Sequence, residues 1–521
     1  MRYGPAVLAT TAWTVHFSSR DLPACEVPPW ALQITPLTWE SWLDAEGILD
    51  GTPYLLSPRY EYDTDLNGYF LRANQMEEPL NTQVNRARAV ARHLNFLHLS
   101  RGGKGWRDAT EEDHRAFHYW RREHSAGPLV AGSTWSQEVS LVNQFYGWAK
   151  ARGLVSENPI PQRATRSRPA DAKKSAPRPS TEAEPATTPA TLAHDGPGQQ
   201  FEWLPAPSYR RWRDVGVRGY TADGLPRPRF RGRWVSRNCA YCDLMVRTGM
   251  RISEQSTVTA WEMPLGDHQA GYRRFWLPAA IAKGGSERWV YVPAGVRRDL
   301  TDYAEFDRSL VVQEAQASRR YDRIRRPLVV ADPARPHLAV RTGGATRGQA
   351  VDVRLLKPAE RYRLLVDTED GLEPAMFWLG ESGMPITVST WEDLFTDANK
   401  RCEEAGIPER AHAHLLRHTF AVITLEQLQR GHIKALGELN EAQRLHYVRI
   451  FGDPLDWVRR RLGHISQVTT TRYLHALQEL EMATRMALVP DTWEDPRDTA
   501  LDMLGASEKP PADLEPLGGV R

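Results

Sequence analysis

At 521 residues, with 67 basic residues against 65 acidic and a net charge of +2, the chain has room for two to four domains. Its overall charge balance points to no particular partner. Four cysteines in so long a chain exclude a disulfide-stapled secreted scaffold, and no apolar run approaches the ~20 residues of a membrane span. The apolar start, Met1 to Ala12, is short and broken by threonine, so it is not read as a signal peptide and a cytoplasmic protein without membrane contact is expected.

Residues 1–79, with Pro28-Pro29-Trp30, Trp39 and Trp42, form an N-terminal extension of unknown role; Thr38 to Leu49 has a short helical pattern. From Thr82 the apolar residues Val84, Ala87, Ala91, Leu94 and Leu97 recur at helical steps, with Arg86, Arg88 and Arg92 among them. Thr110 and Asp113 have the spacing of a capping box, with aspartate in place of glutamate, and open a helix carrying Phe117 and Trp120. Ser133 or Thr134 is the expected cap of a further helix that buries Val139, Val142, Phe145 and Ala149 and stops near Gly153. Residues 80–161 therefore read as a small helical domain.

Residues 162–200 lack aromatics and are rich in Arg, Ala, Pro, Ser, Thr and Glu, the composition of a flexible linker. Ser208 to Arg251 then holds eleven arginines against three aspartates, interleaved with Trp212, Tyr220, Phe230 and Trp234; such a stretch is suited to neutralising phosphates. Cys239 and Cys242 precede an apolar helical run and lack a second ligand pair, so they are read as core residues and not as a metal site. A helix runs towards Arg251. Strands are expected over Arg273–Leu277 and Arg288–Val292, with the turn signal Gly284-Gly285 placing Lys283 at the mouth of a hairpin.

The chemistry concentrates further on. In His414-Leu-Leu-Arg417 the imidazole and guanidinium fall on one helical face, since positions i and i+3 are neighbours. Leu462-Gly-His464 and the isolated Tyr473 follow. A tyrosine, whose pKa is ~10, attacks only with positive charge or a base beside it, and these residue types supply both. Singly, each has a plainer reading: Arg251 a helix-end cation, Lys283 a solvated turn residue, His414 and His418 core histidines, Tyr473 a packed aromatic.

Taken in order, Arg251, Lys283, His414-x-x-Arg417, His464 and Tyr473 resemble the signature of the tyrosine recombinases, the phage-type site-specific integrases. The resemblance implies a mainly α fold with a small antiparallel β-sheet: a helical core-binding domain and a mixed α/β catalytic domain that form a C-shaped clamp on DNA. It implies a catalytic domain over 201–490, with insertions near 300–374 and 429–453, and a tail over 491–521. It further implies strand cleavage and religation through a 3′-phosphotyrosyl intermediate and a Holliday junction, without a cofactor. Tyr473 is then the nucleophile, Arg251 and Arg417 the phosphate clamp, Lys283 the proton donor to the leaving oxygen, and His414 the acid/base near the tyrosine. His464 would bond a phosphate oxygen or position Tyr473, and Glu254 would orient an arginine. Implied partners are double-stranded DNA attachment sites, other copies of the chain in a tetramer on paired sites, and accessory DNA-bending or directionality proteins, at the bacterial nucleoid. A catalytically silent DNA-binding protein on this scaffold, or a type IB-like topoisomerase, is the alternative.

Overall fold

The periodicity beginning near Thr82 becomes a helix over Leu80–Ser100 in the computed structural model. The structure describes residues 12–20, 39–76, 78–164, 187–193, 202–228, 230, 232, 234–266, 271–343, 347–437, 453–464, 470, 471 and 473. Two compact units divide the chain, Met1–Gly198 and Gln199–Arg521.

In the first unit, helices Leu80–Ser100, Glu111–Arg122 and Gly132–Ala151 enclose one core of Val90, Leu94, Phe117, Trp135, Val142 and Phe145. The capping box at Thr110 forms: Asp113 accepts from the Thr110 amide at 2.9 Å, and also holds Arg101 at 2.6 Å and Lys104 at 2.7 Å. The third helix starts at Gly132 after Ala131, so Ser133 and Thr134 lie inside it and neither caps it. Part of the N-terminal segment belongs to the same core. Strands Thr14–Phe17 and Pro53–Leu56 pair antiparallel, and Leu55, Leu66, Tyr69 and Phe70 are buried with the helices.

One part of the expected linker is structured. Thr187–Pro189 pairs antiparallel with Gln162–Ala164, and the Trp135 indole donates to the Thr191 carbonyl at 2.8 Å. A buried indole N–H needs an acceptor, and this short Thr-rich stretch supplies it; average composition hides such a local match.

Inside this unit Glu138 is buried between Arg121, at 2.5 Å, and Arg92, at 2.7 Å. Arg86 is buried too, bonded to Gln75. These arginines serve the fold.

The second unit is built on helix Val235–Thr248. Cys239 and Cys242 are buried in its core, and burial pushes the Cys239 thiol up to about 11. Tyr241 stacks on Trp391 at 3.6 Å, with Trp378 edge-on at 5.2 Å. Much of the arginine-rich approach to this helix is also internally engaged. Arg213 pairs with Asp243 and Asp214, and Arg237 donates to the Leu379 carbonyl. Trp212 is fully buried against Phe395.

Strands Tyr272–Leu277 and Arg288–Pro293 form the expected antiparallel hairpin, with Trp276 opposite Trp289. Its inner face buries Phe275, Leu277, Val290 and Val292. Residues 300–374 hold more structure than an insertion reading suggests. Helices Ala294–Asp302 and Ser309–Ala317 are joined by a π-helical turn over Tyr303–Arg308, and a five-stranded sheet follows. In that sheet Leu364–Thr368 runs parallel to Leu328–Val330 while the other neighbours are antiparallel. The sheet is thus larger than expected and mixed. Its central strands are continuous apolar runs, as strands covered on both faces must be, and they build their own core around Leu328, Val330, Leu364 and Val366.

Helices Val388–Glu404, Ala413–Gly437 and Pro454–Leu462 complete the described part of this unit. Most of the second expected insertion, 438–452, and the segment and tail after Tyr473 lie outside the described residues.

Removing one partner of a buried ion pair strands a charge, at about 3–5 kcal/mol. Glu138→Ala is therefore expected to destabilise the protein by about that amount in urea unfolding. Arg88→Ala, at an exposed position of the Leu80–Ser100 helix, should change stability by less than about 0.5 kcal/mol.

Candidate active site

Arg251 sits where helix Val235–Thr248 has just ended. Gly249 closes that helix in the left-handed region, at φ 66°, and Arg251 is the N-cap of the short helix Ile252–Ser256. Three residues into this turn stands Glu254, with no exposed surface. Its carboxylate accepts from the Arg251 amide at 3.0 Å and from Arg251 Nη1 at 2.8 Å. Arg288 Nη2 lies 2.5 Å away, and the Lys283 amide reaches it at 3.3 Å. Burial alone would raise the Glu254 carboxyl, but Arg288 and then Arg251 outweigh it and hold it at about 2. One buried anion thus ties together the first arginine motif, the hairpin turn and the second hairpin strand.

Lys283 is exposed, in a tight turn over Lys283–Gly285 where both glycines take φ of 69°. Its position is fixed through its backbone while its ammonium is left towards solvent.

Arg417 is 2% exposed, on helix Ala413–Gly437. Nη1 donates to the Gly249 carbonyl and Nη2 to the Leu462 carbonyl, each at 2.5 Å. Both acceptors lie at helix C-termini, where carbonyls lack partners within the helix and the dipole favours a cation. Gly463 ends the second of these helices in the left-handed region, at φ 64°. Arg417 therefore caps two helices at once. A Cβ on Gly249 would fall 2.3 Å from the Phe420 ring and 3.0 Å from Leu462, so only glycine permits this approach.

Tyr473 is buried, in a cluster with Phe420, Ala421 and Leu462. Its hydroxyl is 2.9 Å from His418 Nδ1. His414, expected beside the tyrosine, instead packs edge-on against His418 at 4.2 Å between ring centroids. The two histidines stand one turn apart on the same helical face, and Tyr473 meets the later one, on the turn that also carries Phe420 and Ala421. The His464 ring stacks on Tyr473, at 6.1 Å and 11°, and its Nδ1 meets Thr470 Oγ1 at 3.0 Å.

All six residues expected from the sequence converge. Among the described residues, Arg251, Lys283, Arg288 and Arg417 set four cations against the carboxylate of Glu254. The surplus acts on the imidazoles. Burial, then His414 and Arg417, push His418 down to about 3; burial, then Arg417 and Arg251, push His464 down to about 4. His414 is lowered by burial and then by Arg417. At neutral pH the site therefore presents fixed cations and neutral imidazoles around a phenol, an arrangement that can hold a phosphodiester and exchange protons with it.

Two contributors escape the motif. His418 directly follows Arg417 and reads as a core histidine. Arg288 shares the inward parity of Val290 and Val292, and an arginine on the buried face of a strand demands a buried anion. That parity was the available signal.

No protein-family profile and no curated protein matches the chain. Several solved structures are similar. The XerH site-specific recombinase bound to palindromic difH substrate in a post-cleavage complex is 12% identical, with a TM-score of 0.42 over 82% of this chain and 85% of that chain. The Tn1549 transposon integrase in complex with a circular intermediate DNA is 12% identical, with a TM-score of 0.40 over 77% and 91%. A lambda integrase dimer bound to a COC′ core site is 11% identical, with a TM-score of 0.39 over 79% and 94%. At these scores the reading of function rests on the site itself.

Gly249→Ala is expected to lower stability by about 1–3 kcal/mol through overpacking, measured by urea unfolding. A second prediction concerns acid. His418 and His464 take protons less readily in the folded chain than at the ordinary value of 6.5, so the unfolded chain protonates first. Their contribution is full above pH 6.5 and is lost as pH falls towards 4 and then 3. Urea midpoints should drop between pH 7 and pH 4.5, and drop less in His418→Gln.

Proposed function

We propose that the protein is a site-specific DNA recombinase, the integrase or transposase of a mobile element, acting on double-stranded attachment sites. The observation that carries this reading is a cation-rich cluster in which Arg251 and the Lys283 amide meet at the buried Glu254 carboxylate, Arg417 bonds the Gly249 and Leu462 carbonyls, and the Tyr473 phenol bonds His418 and stacks with His464. Arg251 and Arg417 hold the non-bridging oxygens of the scissile phosphate, where a planar guanidinium fork meets two oxygens at once. The Tyr473 oxygen attacks phosphorus and its proton passes to His418, whose Nδ1 lies 2.9 Å from the hydroxyl, with the His414 ring packed edge-on behind it. The P–O5′ bond breaks, and Lys283 delivers a proton to the departing oxygen. His464 bonds a phosphate oxygen or steadies the Tyr473 ring.

The 3′-phosphotyrosyl bond keeps the energy of the broken linkage, so religation to a second 5′-hydroxyl needs neither ATP nor metal. Repeated on paired sites within a tetramer, the same step yields and resolves a Holliday junction. The clamp on duplex DNA, accessory bending or directionality proteins, and work at the nucleoid belong to the same proposal.

The test uses the gene with its native flanking DNA on a plasmid. Wild type should form excision junctions and trap a covalent protein–DNA adduct on a nicked duplex carrying the junction. Tyr473→Phe should give neither. Lys283→Ala, at an exposed position, should slow cleavage by about 10²–10⁴-fold, the scale of general acid catalysis. Arg417→Ala is a poor probe, since it also uncaps two helices. An adduct that persists in Tyr473→Phe overturns the assignment of the nucleophile. DNA binding without an adduct from wild type would favour a silent binding protein, and relaxation of supercoils without paired sites a topoisomerase.

A further inference from the structure

The outer face of the hairpin is unlike an ordinary solvated strand pair. Alternation puts Phe275, Leu277, Val290 and Val292 inward, and the outward positions should then be polar. Beside Arg274 they are instead the aromatics Trp276, Trp289 and Tyr291, with Trp276 37% and Trp289 41% exposed. Helix Pro454–Leu462 faces them with Trp457, 42% exposed, and with Arg459, Arg460 and Arg461.

Between the two lies a cleft of about 520 Å³ that continues through Arg288, Gly463 and His464 into the catalytic cluster. Its rings and cations are already paired face to face. Arg461 lies over Tyr291 at 3.8 Å and over Trp457 at 5.1 Å, and Arg274 over Trp289 at 4.3 Å. Arg459 and Arg460 share Asp456 at 2.7 Å, Glu287 also lines the cleft, and Arg461 has no ion pair among the described residues. The cleft therefore combines flat aromatic faces with net positive charge, the chemistry that binds a nucleobase with its phosphate. Its volume suits one nucleotide.

We propose that this cleft takes a single unstacked DNA nucleotide next to the cleaved phosphate, so that the preferred substrate is a duplex with an unpaired base at that place. The inference rests on the DNA-processing reading above. Trp289 and Trp457 provide the stacking faces, and Arg460 and Arg461 the backbone contacts.

The test compares two labelled duplexes of one sequence from the native flanking DNA by fluorescence anisotropy. One is fully paired and the other carries one unpaired 2-aminopurine nucleotide beside the cleavage position. The unpaired duplex should bind roughly five- to a hundredfold more tightly, the range one base–aromatic stack supplies, and its 2-aminopurine emission should be quenched on binding. Trp457→Ala and Trp289→Ala, both at exposed positions, should each reduce that preference, while Arg460→Ala should weaken both duplexes alike. Equal binding of the two duplexes by wild type overturns the proposal without touching the recombinase reading. So does a preference unchanged in both tryptophan variants. Failure to bind either duplex overturns the recombinase reading and the cleft proposal with it.

Discussion

A carboxylate with no exposed surface is expensive to bury, by several kcal/mol after relaxation, and the second unit holds one where its candidate site lies. Glu254 is tolerable in its position because Arg251 and Arg288 approach it from two different parts of the chain. The dependence is mutual: Arg288, buried on the inner face of a hairpin strand, also donates to the Arg461 and Ser286 carbonyls but has Glu254 as its counter-ion. Since the Lys283 amide binds the same carboxylate, the hairpin turn, its return strand and the Arg251 turn are held in one register. Large errors in the placement of any of them would leave a buried charge unpaired, so the constraint that stabilises the fold also sets the geometry of the site.

Arg417 meets a second constraint, the need of helix C-termini for donors. By bonding the Gly249 and Leu462 carbonyls it joins helix Val235–Thr248 to helix Pro454–Leu462 through a third helix. The left-handed glycines at 249 and 463 turn the chain away so that the guanidinium can enter. The Arg417 guanidinium is thereby held rigidly by backbone dipoles and not by a second carboxylate, which would have cancelled its charge. The site keeps its positive surplus for that reason, in keeping with the rule that functional groups need a supporting shell that locks them without disarming them.

Much of this was legible in the sequence because it depends on local order. The hairpin could be read from alternation and Gly284-Gly285, the helices of the first unit from apolar spacing, and the six candidate residues stood out by their order along the chain. What escaped depends on partners distant in sequence. Trp135 needs Thr191, 56 positions away, and nothing in a Pro- and Ala-rich stretch announces that its threonines satisfy an indole. Arg213 and Arg237 look like a nucleic-acid surface until Asp243 and the Leu379 carbonyl come to meet them. His418 and Tyr473, 55 positions apart, meet because two segments pack, and the two histidines around Arg417 cannot be told apart by spacing alone. The mixed sheet hides for another reason: its strands are three to five residues long, scattered through an arginine-rich segment, and closed by a parallel pairing that no turn signal marks.

The neutral histidines carry one more implication. Their basicity is suppressed by burial and by the same guanidinium charges that would grip an anion. An anion seated on Arg251 and Arg417 offsets that field, and the rings recover part of their affinity for protons. Occupancy by the ligand and proton uptake are then two faces of a single linked equilibrium. Below about pH 6.5, where an ordinary imidazole begins to charge, association would draw protons from the buffer, and its measured heat would vary with the ionisation enthalpy of whichever buffer is used.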